Sequence, residues 1–170
     1  MDSEFLENLG TNPTQLLGLV AFASATIACI FAKRNSRNEG RVWLALAIAN
    51  AAFFMEIFFG TRLQLHDIAV SRLLSVGLYA DRTNLQYGLI VVSAAIPLLA
   101  ALLFLFFRRL RNPKLMIATI ASFSVLTLFA IEAISLHRID AIFYQEIGSV
   151  LLVGWLWCIA CLATVLSTFL

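Results

Sequence analysis

Five apolar stretches, each long enough to cross a membrane, dominate the pattern of hydrophobic and polar positions. They cover residues 14–32, 42–61, 84–107, 115–132 and 147–170. Each is continuously apolar and close to the roughly 20 residues that a helix needs to cross a hydrocarbon core of about 30 Å. Backbone exposed to lipid must satisfy its own hydrogen bonds, which favours helices over open strands. The pattern predicts an all-α integral membrane protein, a single domain over residues 1–170 with five transmembrane helices.

The basic residues between these stretches predict the orientation of the bundle. Eight of the twelve lie in the first and third connections, at Lys33, Arg34, Arg37, Arg41, Arg108, Arg109, Arg111 and Lys114. Connections rich in lysine and arginine stay in the cytoplasm. We therefore expect the N-terminus outside and the C-terminus in the cytoplasm, in a multi-pass protein of the inner (plasma) membrane.

Composition supports the membrane class and narrows the possible partners. Hydrophobic residues make up 61% of the chain and charged residues 13%, and the mean hydropathy is +0.91. A soluble domain could not bury so much apolar surface. The basic residues are explained by orientation and do not form a nucleic-acid-binding patch. The expected partners are the lipid bilayer and either another membrane protein or further copies of the chain.

Polar side chains gather on the predicted outer side, which holds nine of the ten acids and both histidines. The second and fourth connections are apolar enough for short interfacial helices. We expect an outer cluster that binds a ligand or a partner. It comprises Glu56, Arg62, His66, Asp67, Arg72, Arg82, Glu132, His137, Arg138 and Asp140.

Glu56 and Glu132 are the most informative members of the outer cluster, because each lies near the outer end of an apolar helix. An unpaired carboxylate there would cost on the order of a few kcal/mol. Small residues share a helical face with Glu56, so this face is expected to pack against another helix. They are Ala45, Ala49, Ala52 and Gly60.

Three explanations of the outer cluster remain open. A metal site would use Glu56, His66, Glu132, His137 and Asp140, because carboxylate and imidazole ligands suit zinc, iron or manganese. A haem would need His66 and His137 as axial ligands, although both lie in predicted loops. The third explanation is a set of ion pairs that ties the loops to the helix ends. No ligand spacing in the sequence decides between them.

We interpret three features inside the apolar stretches as structural and not as functional sites. Cys158 and Cys161 spell C-x-x-C within a span, where an apolar setting disfavours the thiolate, so we interpret them as small buried hydrophobes. Trp155 and Trp157 lie too deep in the stretch 147–170 for interfacial anchors. Asn50 is expected to hydrogen-bond to another helix.

Three functional hypotheses follow. The first is an accessory or assembly subunit that binds a larger membrane complex. The second is a binding module for a metal, haem, quinone or lipid headgroup at the outer mouth. The third is a small membrane enzyme or proton-coupled carrier in which Glu56 and Glu132 exchange protons. No catalytic motif is present, so the sequence leans away from an enzyme.

Overall fold

The computed structural model contains four long helices and one short β-hairpin. It describes residues 12–36, 38–61, 112–134 and 141–170, together with positions 68, 71, 75, 88, 91, 92, 94, 95, 97–99, 102 and 106. The elements are α1 (Pro13–Asn35), α2 (Gly40–Phe59), α3 (Pro113–Ile134), β1 (Glu146–Ile147), β2 (Val150–Leu151) and α4 (Leu152–Phe169). All four helices are long and apolar enough to cross a membrane.

Local sequence signals explain where these helices begin and end. Both α1 and α3 start at an Asn-Pro pair: the side-chain oxygen of Asn12 accepts from the Thr14 amide, and that of Asn112 accepts from the Lys114 amide, each at 3.1 Å. Proline is tolerated in the first turn, because its missing amide proton would have no partner within the helix. Helix α2 ends at Gly60, which adopts φ 62°, a left-handed conformation that glycine accepts readily.

The helices form a bundle in which α1 packs against α2 and α4, and α4 packs against α3, whereas α2 and α3 touch only slightly. We call one end of the bundle the carboxylate end; Pro13, Phe59, Ile134 and Leu152 lie there. The opposite, basic end holds Asn35, Gly40, Pro113 and Phe169. Helices α2 and α3 both start at the basic end, where Asn112 donates from its amide to Glu39 at 2.7 Å.

An aromatic cluster joins all four helices in the half of the bundle nearer the carboxylate end. The ring centroids of Phe53 and Phe129 lie 5.3 Å apart, and those of Phe129 and Trp157 lie 5.5 Å apart. Phe22 contacts all three of these rings at centroid distances of 5.6 to 6.4 Å. These spacings are typical of favourable aromatic pairs. The cluster therefore forms the packed core of the bundle next to the carboxylate end.

The helical class is confirmed, and four of the five predicted segments are helices long and apolar enough to cross a membrane. The segment 84–107 lies mostly outside the described residues, so the fifth crossing and the orientation of the bundle stay predictions. The last segment begins later than expected: a hairpin turns at Gly148 and Ser149, both with positive φ, and α4 starts only at Leu152.

This later start corrects the prediction for Trp155. The residue lies in the first turn of α4, and its indole nitrogen donates to the Ile147 carbonyl at 3.1 Å. Trp155 therefore lies at the start of the helix and not deep within it, and it ties the hairpin to the helix; its position relative to the membrane interface stays a prediction. Trp157, by contrast, is buried in the aromatic cluster.

Two other interior features can be compared with their interpretations. Cys161 is buried, Cys158 is partly buried, and neither forms a disulfide, so both behave as small apolar side chains. Asn50 is buried, but its amide donates to the Leu46 carbonyl of its own helix at 2.8 Å. The predicted hydrogen bond from Asn50 to another helix is therefore not the one the structure contains.

Candidate binding cavity at the carboxylate end

A cavity of about 380 Å³ opens at the carboxylate end, above the aromatic cluster. Its volume lies within the range of about 300–1,000 Å³ that is usual for small-molecule sites. Described residues at the ends of α1, α2, α3 and α4 and in the hairpin region line it. They are Asn12, Thr14, Gln15, Ile57, Gly60, Glu132, Tyr144, Leu151, Val153 and Trp157. We call this space the outer-mouth cavity.

The first turn of α1 builds the polar side of the outer-mouth cavity. Asn12 caps the helix, and its side-chain oxygen also accepts from the Gln15 amide at 3.3 Å. Gln15 in turn donates from its side chain to the Ile57 carbonyl at 3.1 Å. This carbonyl belongs to the last turn of α2, where carbonyl groups have no partner within the helix. The contact therefore supplies a hydrogen-bond donor to the last turn of α2 and fixes the spacing of α1 and α2.

The hairpin and α4 close the opposite wall through a second contact with α1. The buried Thr14 hydroxyl accepts from the Leu151 amide at 2.9 Å. Next to it Gly154 packs so closely that a Cβ atom there would lie 2.8 Å from the Thr14 methyl carbon. Gly18, one turn further along α1, makes similar room for the Trp157 ring, 3.1 Å from the position of its missing Cβ. Small residues thus let α1 and α4 approach closely.

Glu132 supplies the negative charge of the outer-mouth cavity. It lies in the last turn of α3 and is only 3% exposed, and the other charged residue of this helix, Lys114, lies at its opposite end. Ionisable groups inside membrane segments are costly and often mark functional sites. Around Glu132 the cavity offers the amides of Asn12 and Gln15 and the hydroxyl of Tyr144. These groups can hold a cation or a hydrogen-bond donor.

Glu56, the other carboxylate singled out from the sequence, occupies a different place. It lies in the last turn of α2, is partly exposed, and its carboxylate accepts a hydrogen bond from the Thr61 hydroxyl. Its neighbours Ile57 and Gly60 line the outer-mouth cavity, whereas Glu56 does not. The two carboxylates lie at the same end of the bundle, but only Glu132 lines the cavity.

The remaining members of the predicted cluster lie outside the described residues: Arg62, His66, Asp67, Arg72, Arg82, His137, Arg138 and Asp140. Within the described part of the chain, no three histidine, cysteine or acidic residues come together in a way that could hold a metal ion. Only Glu56 and Glu132 of the five proposed metal ligands belong to that part. The predicted metal and haem sites therefore stay predictions.

Sequence reasoning missed the contribution of the first helix to this site. The sequence pattern did not single out Asn12, Thr14 or Gln15 as site residues, because polar residues at a helix start are common. A signal was nevertheless available in the predicted topology. The start of the first span and the end of the fourth lie on the same side, so their polar residues are at similar depth.

No known protein family matches the chain, and no curated protein or solved structure matches it. The functional interpretation therefore depends on the fold and the cavity. The fold is a helical bundle with four helices that are able to cross a membrane, which indicates a membrane protein.

Proposed function

We propose that the protein is a membrane-embedded binding protein whose outer-mouth cavity takes a small cationic or hydrogen-bond-donating group. The observation that carries this proposal is the position of Glu132, a 97% buried carboxylate in the wall of a cavity of about 380 Å³. A carboxylate in a low-dielectric setting attracts a cation more strongly than it would in water. The side-chain amides of Asn12 and Gln15 and the Tyr144 hydroxyl would orient the bound group.

The ligand is expected to enter from the outer face of the inner membrane, the side that the basic connections predict for the carboxylate end. A metal ion, an ammonium group or the hydrogen-bonding headgroup of a quinone or lipid fits the lining chemistry.

The test compares purified protein in mild detergent with two matched variants, Glu132→Gln and Glu56→Gln. The metal content and the optical spectrum of the untreated protein are recorded first. Zn²⁺, Mn²⁺ and butylammonium chloride are then added separately, and binding is measured as a rise in the melting temperature. A ligand at 100 times its dissociation constant stabilises the folded state by about 2.7 kcal/mol. We expect at least one probe to raise the melting temperature of wild type and Glu56→Gln, but not of Glu132→Gln.

Equal responses of the two variants would contradict this assignment, because the charge that distinguishes the cavity would then be irrelevant to binding. If Glu132→Gln does not fold, the variants Tyr144→Phe and Gln15→Ala are tested in its place. Each changes one polar group of the lining and should weaken the response without removing the carboxylate.

An accessory or assembly subunit is the second proposal, and one observation favours it. Tyr144, in the wall of the outer-mouth cavity, is 42% exposed, so the cavity is accessible to a neighbouring protein. The cation would then be a lysine or arginine side chain of a partner membrane complex. A photo-crosslinker at position 144 should capture that partner in intact membranes, and Glu132→Gln should abolish the adduct. A crosslink that survives Glu132→Gln would contradict this version.

A further inference from the structure

A second cavity lies between α2 and α3, the two helices that scarcely touch. It has a volume of about 410 Å³. We call it the α2–α3 groove. It is lined by Arg41, Val42, Ala45, Leu46, Ala49, Phe53, Thr119, Ser122, Phe123 and Leu126. The proposed function does not use this groove, which begins at the opposite, basic end of the bundle.

Two residues that line the groove carry buried hydroxyl groups that lack hydrogen-bond partners within the described part of the chain. Thr119 and Ser122 are 2% and 7% exposed, and among the described residues neither hydroxyl has a hydrogen-bond partner. Serine and threonine in helices commonly donate to the carbonyl four residues earlier, as Thr127 and Ser124 of the same helix do. Buried polar groups are normally hydrogen-bonded. These two hydroxyls therefore indicate a polar acceptor that enters the groove.

The length of the groove suits a single extended hydrocarbon chain. At 1.5 Å per residue, Arg41 and Phe53 are about 18 Å apart along α2. The groove has a volume of about 410 Å³, and most of the residues that line it between these two are apolar.

The protein's own third apolar segment is not the occupant at its described positions. Ala94 and Leu98 of that segment line another cavity, against Ile120 and Ala121 of α3 and Ile159 of α4. This places them away from the α2–α3 groove, which none of the described residues of the segment lines. At these described positions the segment leaves the groove open.

The chemistry changes along the groove in a definite order. Arg41 lies at the basic end, the hydroxyls of Thr119 and Ser122 follow, and Phe53 and Leu126 line the deepest part. The sole acid in this region of the sequence, Glu39, accepts a hydrogen bond from Asn112. An anionic glycerophospholipid has the same order of groups: phosphate, ester carbonyls, hydrocarbon chain. The length of about 18 Å also matches one leaflet of a hydrocarbon core of about 30 Å.

We propose that the α2–α3 groove binds one anionic glycerophospholipid, with its phosphate at Arg41, an ester carbonyl at the hydroxyls of Thr119 and Ser122, and an acyl chain between the helices. The lipid belongs to the leaflet at the basic end. It fills the gap that α2 and α3 leave and acts as part of the interface between them.

The test is native mass spectrometry of the delipidated full chain in mild detergent, with added palmitoyl-oleoyl phosphatidylglycerol or phosphatidylcholine. We expect one phosphatidylglycerol per chain to bind at least tenfold more tightly than a second copy and than phosphatidylcholine. Arg41→Gln should remove this preference, whereas Arg34→Gln, which removes a charge at the same end but outside the groove, should preserve it.

Two further comparisons test the rest of the groove. Ala49→Leu fills it and should abolish tight binding of either lipid, while Ala52→Leu, at an exposed alanine outside the groove, should not. Wild type should prefer the diester lipid over the matched diether phosphatidylglycerol severalfold, and the double variant Thr119→Val, Ser122→Ala should lose that preference.

Equal binding of the two headgroups, unaffected by Ala49→Leu, would overturn the proposal. So would an Ala49→Leu variant that turns a dimer into a monomer with lipid retention unchanged, since the groove would then be a contact between copies of the chain. Arg41→Gln keeps the proposal falsifiable if Ala49→Leu does not fold, because Arg41 is exposed.

Discussion

At the scale of single residues, the close approach of α1 and α4 depends on the absence of side chains. Gly154 faces the Thr14 methyl group and the Val150 side chain, which would lie 2.8 and 3.1 Å from an added Cβ. Thr14 cannot easily move aside, because its hydroxyl is held by the Leu151 amide. One methyl group at this position must therefore push the two helices apart.

We accordingly expect Gly154→Ala to destabilise the protein by about 1–3 kcal/mol, the usual cost of overpacking a tight contact. Gly88→Ala is the matched control, since nothing lies within 4 Å of its added Cβ. Thermal unfolding in detergent, followed by circular dichroism, measures the difference. Equal melting temperatures for the two variants would show that α1 and α4 can separate at no cost.

Glu132 illustrates what sequence can and cannot predict about one residue. The sequence places this carboxylate in an apolar segment and predicts that it lies near a helix end. Its assignment to a cavity wall depended on contacts with residues far away in the chain, such as Asn12 and Leu151. Glu56 looked equivalent, yet the partner given by the structure is the nearby Thr61.

At the scale of elements, the apolar pattern predicted helices well, because spans must satisfy their own hydrogen bonds. It did not predict the hairpin at residues 146–151, since its apolar residues continue without a break into α4. The only local signal was Gly148, at the hairpin turn. The hairpin is stabilised from outside, by Trp155 and by Thr14, and contacts between distant residues are not visible in a local pattern.

Thr14→Val tests how far the first helix holds this hairpin. The change leaves the Leu151 amide without its acceptor, which costs about 1–3 kcal/mol for a buried donor. We expect faster hydrogen exchange at the Leu151 amide and a lower melting temperature, whereas Thr14→Ser retains the hydroxyl and should exchange nearly as slowly as wild type. Unchanged exchange in Thr14→Val would mean that the hairpin is stable without α1.

At the scale of the whole molecule, the two ends of the bundle differ in charge. Among the described residues, the basic end carries Lys33, Arg34, Arg41 and Lys114 with one acid, Glu39, and the carboxylate end carries Glu56, Glu132 and Glu146. The predicted orientation, in which the basic end faces the cytoplasm, derives from such basic residues. Placement in a membrane is a property of the charges and the lipid together, so it needs a test in cells.

Cysteine labelling of intact cells tests this orientation. The three native cysteines are first replaced by alanine, and then Asn38→Cys is introduced at the basic end or Gln145→Cys at the carboxylate end; both positions are exposed. A membrane-impermeant maleimide should label position 145 directly and position 38 only after permeabilisation, because the predicted orientation turns only the carboxylate end outward. The reverse pattern would invert the topology and move the proposed ligand entry to the cytoplasm.

The contact between Leu151 and Thr14 joins residues 137 positions apart in the chain, and this has a consequence for biosynthesis. A ribosome that has completed α3 has made Glu132 but not the wall formed by Leu151, Val153 and Trp157. The outer-mouth cavity therefore closes only when the last helix joins the first. A product stopped before residue 150 would lack this wall and leave Glu132 uncovered on that side, so ligand binding at this site would report that α4 has been translated.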